Sequence, residues 1–136
     1  MLAKSYVLAA VVACAALLAP VPAPAQLGHP VKGSWLGYWG PNPETQRRIV
    51  LLLDWDNREV VGTINPGKKA VKITRASLDY STWTLTLEAD MPNAAGRNEH
   101  WVATGKMENL GSWNNRRYSG TYRHGAEAGK FSVTLH

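Results

Sequence analysis

Short runs of alternating apolar and polar residues, separated by turn residues at intervals of about ten positions, recur along this chain and favour an all-β fold. The clearest run is Thr82 to Asp90, where tryptophan, leucine and alanine alternate with threonine and glutamate. Successive side chains of a strand point to opposite faces, so this run predicts one buried and one solvated face. No segment of useful length shows the period of an amphipathic helix.

Eight such runs follow one another. Asp56-Asn57 predicts a tight hairpin, because both residues tolerate left-handed conformations, and Asn65-Pro66-Gly67 is typical of a turn. The predicted strands cover residues 33–40, 46–55, 58–65, 70–78, 82–90, 98–107, 116–123 and 130–135. Short links favour antiparallel neighbours, and eight strands suffice to close an up-and-down barrel without an exposed edge. A two-sheet β-sandwich is the alternative.

Residues 1–25 differ in composition from the rest of the chain. Lys4 is their only charge, an apolar run extends from Tyr6 to Leu18, and the segment ends on Ala23-Pro24-Ala25. This pattern is typical of a cleavable signal peptide. The apolar run is too short for a membrane-spanning helix, which needs about 20 residues. We therefore expect an exported protein, periplasmic or extracellular, with no transmembrane segment after cleavage.

Cleavage after Ala25 leaves a tether at residues 26–32 and a single domain at 33–136. The one cysteine, Cys14, supports a second interpretation, because Val11-Val12-Ala13-Cys14 resembles a loose lipobox whose cysteine would carry a lipid anchor. The apolar run continues past Cys14, which favours the soluble product. A product without cysteine folds without disulfides, so burial of apolar surface must stabilise it.

The net charge of the whole chain is +5, and removal of Lys4 lowers it by one. Like charges occur as pairs, at Arg47-Arg48, Lys68-Lys69 and Arg116-Arg117, and not as longer blocks. Such pairs give little support to nucleic-acid binding. A modest positive surplus suits solubility and could attract anionic polymers or lipids of a cell envelope.

The chain contains six tryptophans. A small barrel without disulfides could use them simply to fill its interior, since each ring buries about 150 to 250 Å². Alternatively, a subset lines a cavity for a flat apolar ligand or forms an exposed platform for sugar rings. Trp55, Trp83 and Trp101 share the predicted inward face and are expected to line a cavity if one exists. Trp39 precedes a proline-containing loop and is the candidate residue for the rim of such a cavity.

Gly33-Ser34-Trp35 resembles the first-strand signature of lipocalins. Together with Val61-Gly62-Thr63-Ile64 and Tyr118-Ser119-Gly120-Thr121-Tyr122, it resembles small exported lipocalin-like barrels of bacteria. The resemblance implies a calycin-type barrel that binds a small apolar or amphipathic molecule at its open end. The lipocalin pattern also implies an arginine packed over Trp35, for which Arg123 is the candidate. No helix follows the last predicted strand, which departs from the family.

Candidate metal and catalytic groups are weak. Asp54 to Asn57 begins like a calcium loop, but Arg58 occupies a ligand position and Glu59 replaces the required glycine. The four histidines lack zinc-ligand spacing. Glu99 and His100 are neighbours on a strand and point to opposite faces. We expect no metal, no cofactor and no assigned catalytic residue.

Three functions remain open. The favoured one is a non-enzymatic barrel that binds a small apolar or amphipathic ligand. The second is an envelope interaction module that binds a glycan or a partner protein through exposed aromatic side chains. The third is an isomerase or hydrolase at the barrel mouth, with Glu99 or His100 as acid or base. The sequence pattern leaves the oligomeric state open.

Overall fold

A computed structural model describes residues 28–112 and 114–136, which form a closed barrel of eight antiparallel strands. Each strand pairs with its neighbours along the chain, and the first also pairs with the last. The strands are β1 (Gly33–Gly40), β2 (Arg47–Trp55), β3 (Val60–Ile64), β4 (Val71–Asp79), β5 (Thr84–Pro92), β6 (Asn98–Glu108), β7 (Arg117–His124) and β8 (Glu127–Leu135). The predicted all-β, up-and-down barrel is confirmed, and the sandwich alternative is wrong.

Alternation along the strands fills the barrel. Side chains at every second position point inward, as at Ile49, Leu51 and Leu53 of β2, which are 2%, 1% and 2% exposed. The largest fully buried side chains are Trp35, Trp101 and Tyr118. Burial of these apolar groups, at about 25 cal/mol per Å², supplies the stability that a chain without disulfides requires.

The two ends of the barrel carry different connections. The upper end carries the β1–β2, β3–β4, β5–β6 and β7–β8 connections, and the lower end carries the other three connections and the segment before β1. Residues 28–32, the described part of the predicted tether, fold against the lower end. Val31 is fully buried there, and its carbonyl accepts a hydrogen bond from the Trp35 indole at 2.7 Å.

Most strand boundaries differ from the prediction by one to three residues, and two of these shifts have a local cause in the backbone. Trp83 lies in the β4–β5 turn with φ of 54°, so β5 begins at Thr84, two residues later than predicted. The predicted loop before β8 is shorter, because Gly125 adopts φ of 59° and lets His124 pair directly with Glu127. A register shift between Ile73 and Arg75 marks a bulge in β4.

Two sequence predictions lie outside the described residues, the signal peptide at 1–25 and the lipid anchor at Cys14; the tryptophan at position 113 also lies outside them. Within residues 28–112 and 114–136, no helix is long and apolar enough to cross a membrane.

Candidate functional site

Trp55 and Trp83, two of the four predicted ligand-binding tryptophans, lie half-buried at the lower end. The His29 ring stacks on Trp55 with centroids 4.5 Å apart, and the Tyr80 ring meets Trp83 edge-on at 5.3 Å. His29 Nε2 lies 2.8 Å from the Tyr80 hydroxyl and joins the two pairs. Burial lowers the pKa of His29 below its ordinary value. These rings pack the segment before β1 onto the barrel.

Trp39 and Trp101, the other two predicted residues, form an aromatic cluster at the upper end with Tyr122 and His124. The Trp39 side chain is 5% exposed and the Trp101 side chain is 1% exposed. The Trp39 centroid lies 6.3 Å from Trp101, 4.8 Å from Tyr122 and 5.8 Å from His124. The four predicted tryptophans are therefore divided between the two ends and do not line one shared cavity.

A charged layer covers this cluster. The Arg47 guanidinium lies 3.9 Å from the Trp39 ring centroid and forms an ion pair with Glu127. The Tyr122 hydroxyl donates to Glu127 Oε2 at 2.7 Å. Burial, followed by the hydrogen bond and charge of Glu127, raises the pKa of Tyr122 to about 12. Burial alone would raise the pKa of Glu127, but its bonds to Tyr122 and Arg47 lower it below the usual value.

Beside the charged layer is a mouth cavity of about 460 Å³, whose lining includes Trp39, Arg47, Glu99, His124 and Glu127. The Asn93 amide donates to Glu99 Oε1. The second Glu99 oxygen packs against Gly125, where an added Cβ would lie 1.5 Å from it. The lining thus combines polar and charged groups with apolar ones such as Trp39, Pro92 and Ala94.

Glu99 and His100 do not act as a pair. Glu99 faces the mouth cavity, whereas the exposed His100 ring points outward and lies 3.0 Å from Glu88 and 4.0 Å from Asp90. The predicted opposite orientation is confirmed. In the part of the chain that the structure describes, no group of three or more His, Cys, Asp or Glu side chains could hold a metal ion.

The prediction that Arg123 packs over Trp35 is wrong. Arg123 is exposed on the outer face of β7, while Trp35 is buried inside the barrel. The buried arginine at the lower end, where Trp35 lies, is Arg116. Its Nη1 donates to the carbonyl of Pro30 at 2.8 Å. The sequence flagged Arg116-Arg117 as a charge pair, but the strand pattern did not show which of the two enters the core.

A large concave surface lies on the outside of the barrel wall. A groove of about 730 Å³ crosses β6, β7 and β8 and is bounded by the β1–β2 loop. A second depression of about 470 Å³ shares Gln46, Thr121 and Lys130 with it and continues to Tyr38 on β1. We call the two together the outer groove. Its floor includes Val102, Thr104, Ser119, Thr121, Arg123, Ala128, Lys130 and Ser132.

The β1–β2 loop that bounds the outer groove is held in place by local bonds. Asn42 Oδ1 accepts from the backbone N–H of Glu44 at 3.0 Å and from that of Thr45 at 3.1 Å. Gly129 lets β8 approach the base of this loop, because an added Cβ would lie 2.2 Å from the Gly40 carbonyl oxygen. The wall of the outer groove is therefore preorganised.

Three exposed side chains give the outer groove its chemistry. Tyr38 is 50% exposed, and Arg123 and Lys130 are also exposed. Among the described residues, neither cation has a carboxylate within 4.0 Å. The sequence prediction missed this surface because it placed function on inward tryptophans. The signal that could have found it is the run of threonine, serine and lysine on the solvent faces of β6 to β8.

Comparisons with protein-family models, with curated proteins and with solved structures found no match. What the structure supports of the predicted resemblance is the architecture: a closed, eight-stranded antiparallel barrel is compatible with a lipocalin-like fold.

Proposed function

We propose that this protein is a non-catalytic binding module that holds a glycan strand in its outer groove. The observation that carries the proposal is the groove itself, about 730 Å³ in volume, continuous with a second depression that contains the exposed Tyr38 ring. Its volume falls within the range of about 300 to 1,000 Å³ that is typical of ligand sites. The interior, by contrast, is packed with large side chains.

The lining of the outer groove matches the surface of a sugar. A pyranose ring has an apolar C–H face and a rim of hydroxyls. The exposed face of Tyr38 suits the apolar C–H face of the sugar, because an aromatic ring is a large, rigid apolar surface. The sugar hydroxyls can exchange hydrogen bonds with amide and hydroxyl groups of the groove, which belong to Asn42, Gln46, Thr104 and Thr121.

A peptide fits the outer groove less well. Extended peptides bind by adding a strand to a sheet edge, and the ring of described strands is closed. An amphipathic helix needs a row of apolar pockets, whereas threonine, serine, glycine and cations make up most of this floor. From β6 to β1 the groove spans three strand spacings, about 14 Å, which accommodates a few sugar rings in a line.

The proposal is tested with the purified protein on an array of envelope and extracellular glycans, followed by calorimetry on each hit. Tyr38→Ala should weaken binding about tenfold through loss of one aromatic contact. Leu52→Ala is the matched control, since Leu52 is 45% exposed on the same outer wall but does not line the outer groove. Absence of any glycan hit, or equal losses in the two variants, would refute the proposal.

A second candidate is a small amphipathic ligand at the mouth cavity, the function that a lipocalin-like barrel implies. It is favoured by the indole N–H of Trp101, which is buried and has no acceptor among the described residues. A buried polar group normally has a partner, because leaving one unpaired costs about 1 to 3 kcal/mol. A ligand acceptor reaching past Trp39 would supply it. The test is tryptophan fluorescence during titration with amphipathic probes. If the emission changes neither in the wild-type protein nor in the Trp39→Phe variant, this site is excluded.

We further propose that residues 1–25 direct export and are removed. The support is the charge, apolar run and Ala23-Pro24-Ala25 ending of that segment. Mass spectrometry of the protein recovered from an expressing bacterial host should give a chain that begins at Gln26. A lipid-modified chain that begins at Cys14 would favour the anchored alternative.

A further inference from the structure

We infer that the outer groove selects acidic glycans, polymers whose sugars carry anionic groups, and that Arg123 and Lys130 are the selecting residues. This inference rests on the glycan-binding function proposed above. It starts from the observation that two exposed cations lie on the floor of a groove that hydroxyl groups also line.

The strand register brings the two cations together. Arg123 of β7 pairs with Ala128 of β8, and Lys130 of β8 pairs with Thr121 of β7. They are therefore diagonal neighbours on the outer face, with backbones about 7 to 8 Å apart. Their long side chains can reach the same anionic group or two successive ones along a polymer. Arginine adds a planar fork that matches a carboxylate or phosphate with two parallel hydrogen bonds.

The positive charge of this pair is not neutralised on the groove floor. Arg47 shows the contrast, because its guanidinium is paired with Glu127 at the mouth. In the cross-strand row that contains Arg123, Val102 of β6 comes next and Glu88 of β5 is the first acidic residue. The Glu88 carboxylate already lies 3.0 Å from Nε2 of His100. An incoming anion therefore meets cations that have no carboxylate within 4.0 Å among the described residues.

Further cations flank the second half of the outer groove. One cross-strand row runs from Lys106 of β6 through Ser119 and Ser132 to Tyr38 and Arg48 of β2. The row spans four strand spacings, about 19 Å, with a cation at each end and hydroxyls between them. A linear acidic polymer lying across the strands would meet positive charge at both limits of the groove. Such a distribution attracts anions and is weakened by salt.

A glycan is favoured over a single-stranded nucleic acid by the aromatic content of the surface. Nucleic-acid grooves combine positive charge with several aromatic platforms for successive bases. Tyr38 is the exposed ring that lines the described part of the outer groove, and the exposed floor beyond it is formed by threonine, serine, alanine, valine and the two cations. One aromatic contact followed by hydroxyl contacts fits a sugar chain.

The experiment compares two probes that differ in the acidic group, polygalacturonate and a neutral galactan of the same length, by calorimetry at low salt. The wild-type protein should bind polygalacturonate about tenfold more tightly, the effect expected from two exposed ion pairs. The Arg123→Gln/Lys130→Gln variant should bring this ratio close to one. A Lys68→Gln/Arg75→Gln variant loses the same charge from the opposite side of the barrel and should keep the wild-type ratio.

The outcomes separate the inference from the proposed function. Equal binding of both probes by wild-type protein would overturn the charge selection and leave glycan binding in place. No binding of either probe, nor of phosphorylated mannan, would overturn both. A ratio that falls equally in the two double variants would show an effect of net charge and refute the role of Arg123 and Lys130. Equal affinity for single-stranded DNA would overturn selection of a glycan.

Discussion

Replacing Arg116 with methionine should remove a charged group that ties two connections of the lower end together. The side chain is 8% exposed. Its Nη1 donates to the carbonyl of Pro30 at 2.8 Å, and its Nη2 donates to the carbonyl of Leu110 at 2.7 Å. Methionine keeps the apolar stem but cannot donate. The segment before β1 and the β6–β7 connection would therefore lose their common anchor.

The magnitude follows from the two bonds. Hydrogen bonds from a charged donor contribute about 1.5 to 3 kcal/mol each. Pro30 and Leu110 are half-buried, so water can replace part of what their carbonyls lose. Taking the lower value for each bond gives a loss of about 3 kcal/mol. For a domain of about 100 residues, the unfolding entropy is about 0.2 kcal/mol per kelvin, which corresponds to a fall in Tm of roughly 15 °C.

Urea unfolding followed by tryptophan fluorescence measures the change, with Arg117→Met as the control. Arg117 is adjacent, carries the same charge and is exposed, so its variant should change the free energy of unfolding by less than about 0.5 kcal/mol. Trypsin should also cut after Lys32 faster in Arg116→Met than in the control. Equal stability of the two variants, or a difference that disappears at high salt as an exposed ion pair would, refutes the role assigned to Arg116.

Three further predictions use matched pairs or pH. Trp35→Phe should destabilise the protein by about 1 kcal/mol more than Trp101→Phe in chemical unfolding, because only the Trp35 indole donates a described hydrogen bond; equal losses would contradict this. The raised pKa of Tyr122, about 12 against an ordinary 10, means that its stabilising contribution is present below pH 10 and is lost as pH rises toward 12. Tyr122→Phe should therefore show a shallower alkaline loss of stability, and an unchanged pH profile would count against it. Gly129→Ala should lower Tm by several degrees, since its Cβ would lie 2.2 Å from a backbone oxygen, whereas Gly111→Ala meets open space and should be neutral; equal Tm values would show that the close approach is not required.

The alternating pattern predicted the strands well because it is a local property. Leu85 and Leu87 had to share a face whatever else the chain did, and both are fully buried. Trp83 was assigned to the same face by the same rule. It lies instead in the turn before β5, at positive φ, because the β4–β5 connection needs one more residue than the pattern indicated. Strand ends depend on turn geometry, which alternation does not encode.

Two of the residues named from the sequence lie together in the structure. Trp39 and Trp101 were named for ligand binding and do meet at the upper end. Their neighbours were not predicted, because Arg47 and Glu127 are separated by 80 positions in the chain. The outer groove was also missed, since Tyr38 and Lys130 look like ordinary solvated residues until β1 and β8 are placed side by side.

By itself, the sequence determined the number of strands, their order and the inward face of most of them. These follow from the two-residue period and from turn residues, both of which act over a few positions. Only the tertiary structure decided which arginine is buried, which aromatic rings share an end, and which hydroxyls and cations line one groove. The physical reason is closure: pairing β1 with β8 fixes the register around the whole ring, and that register sets contacts between residues far apart in the chain.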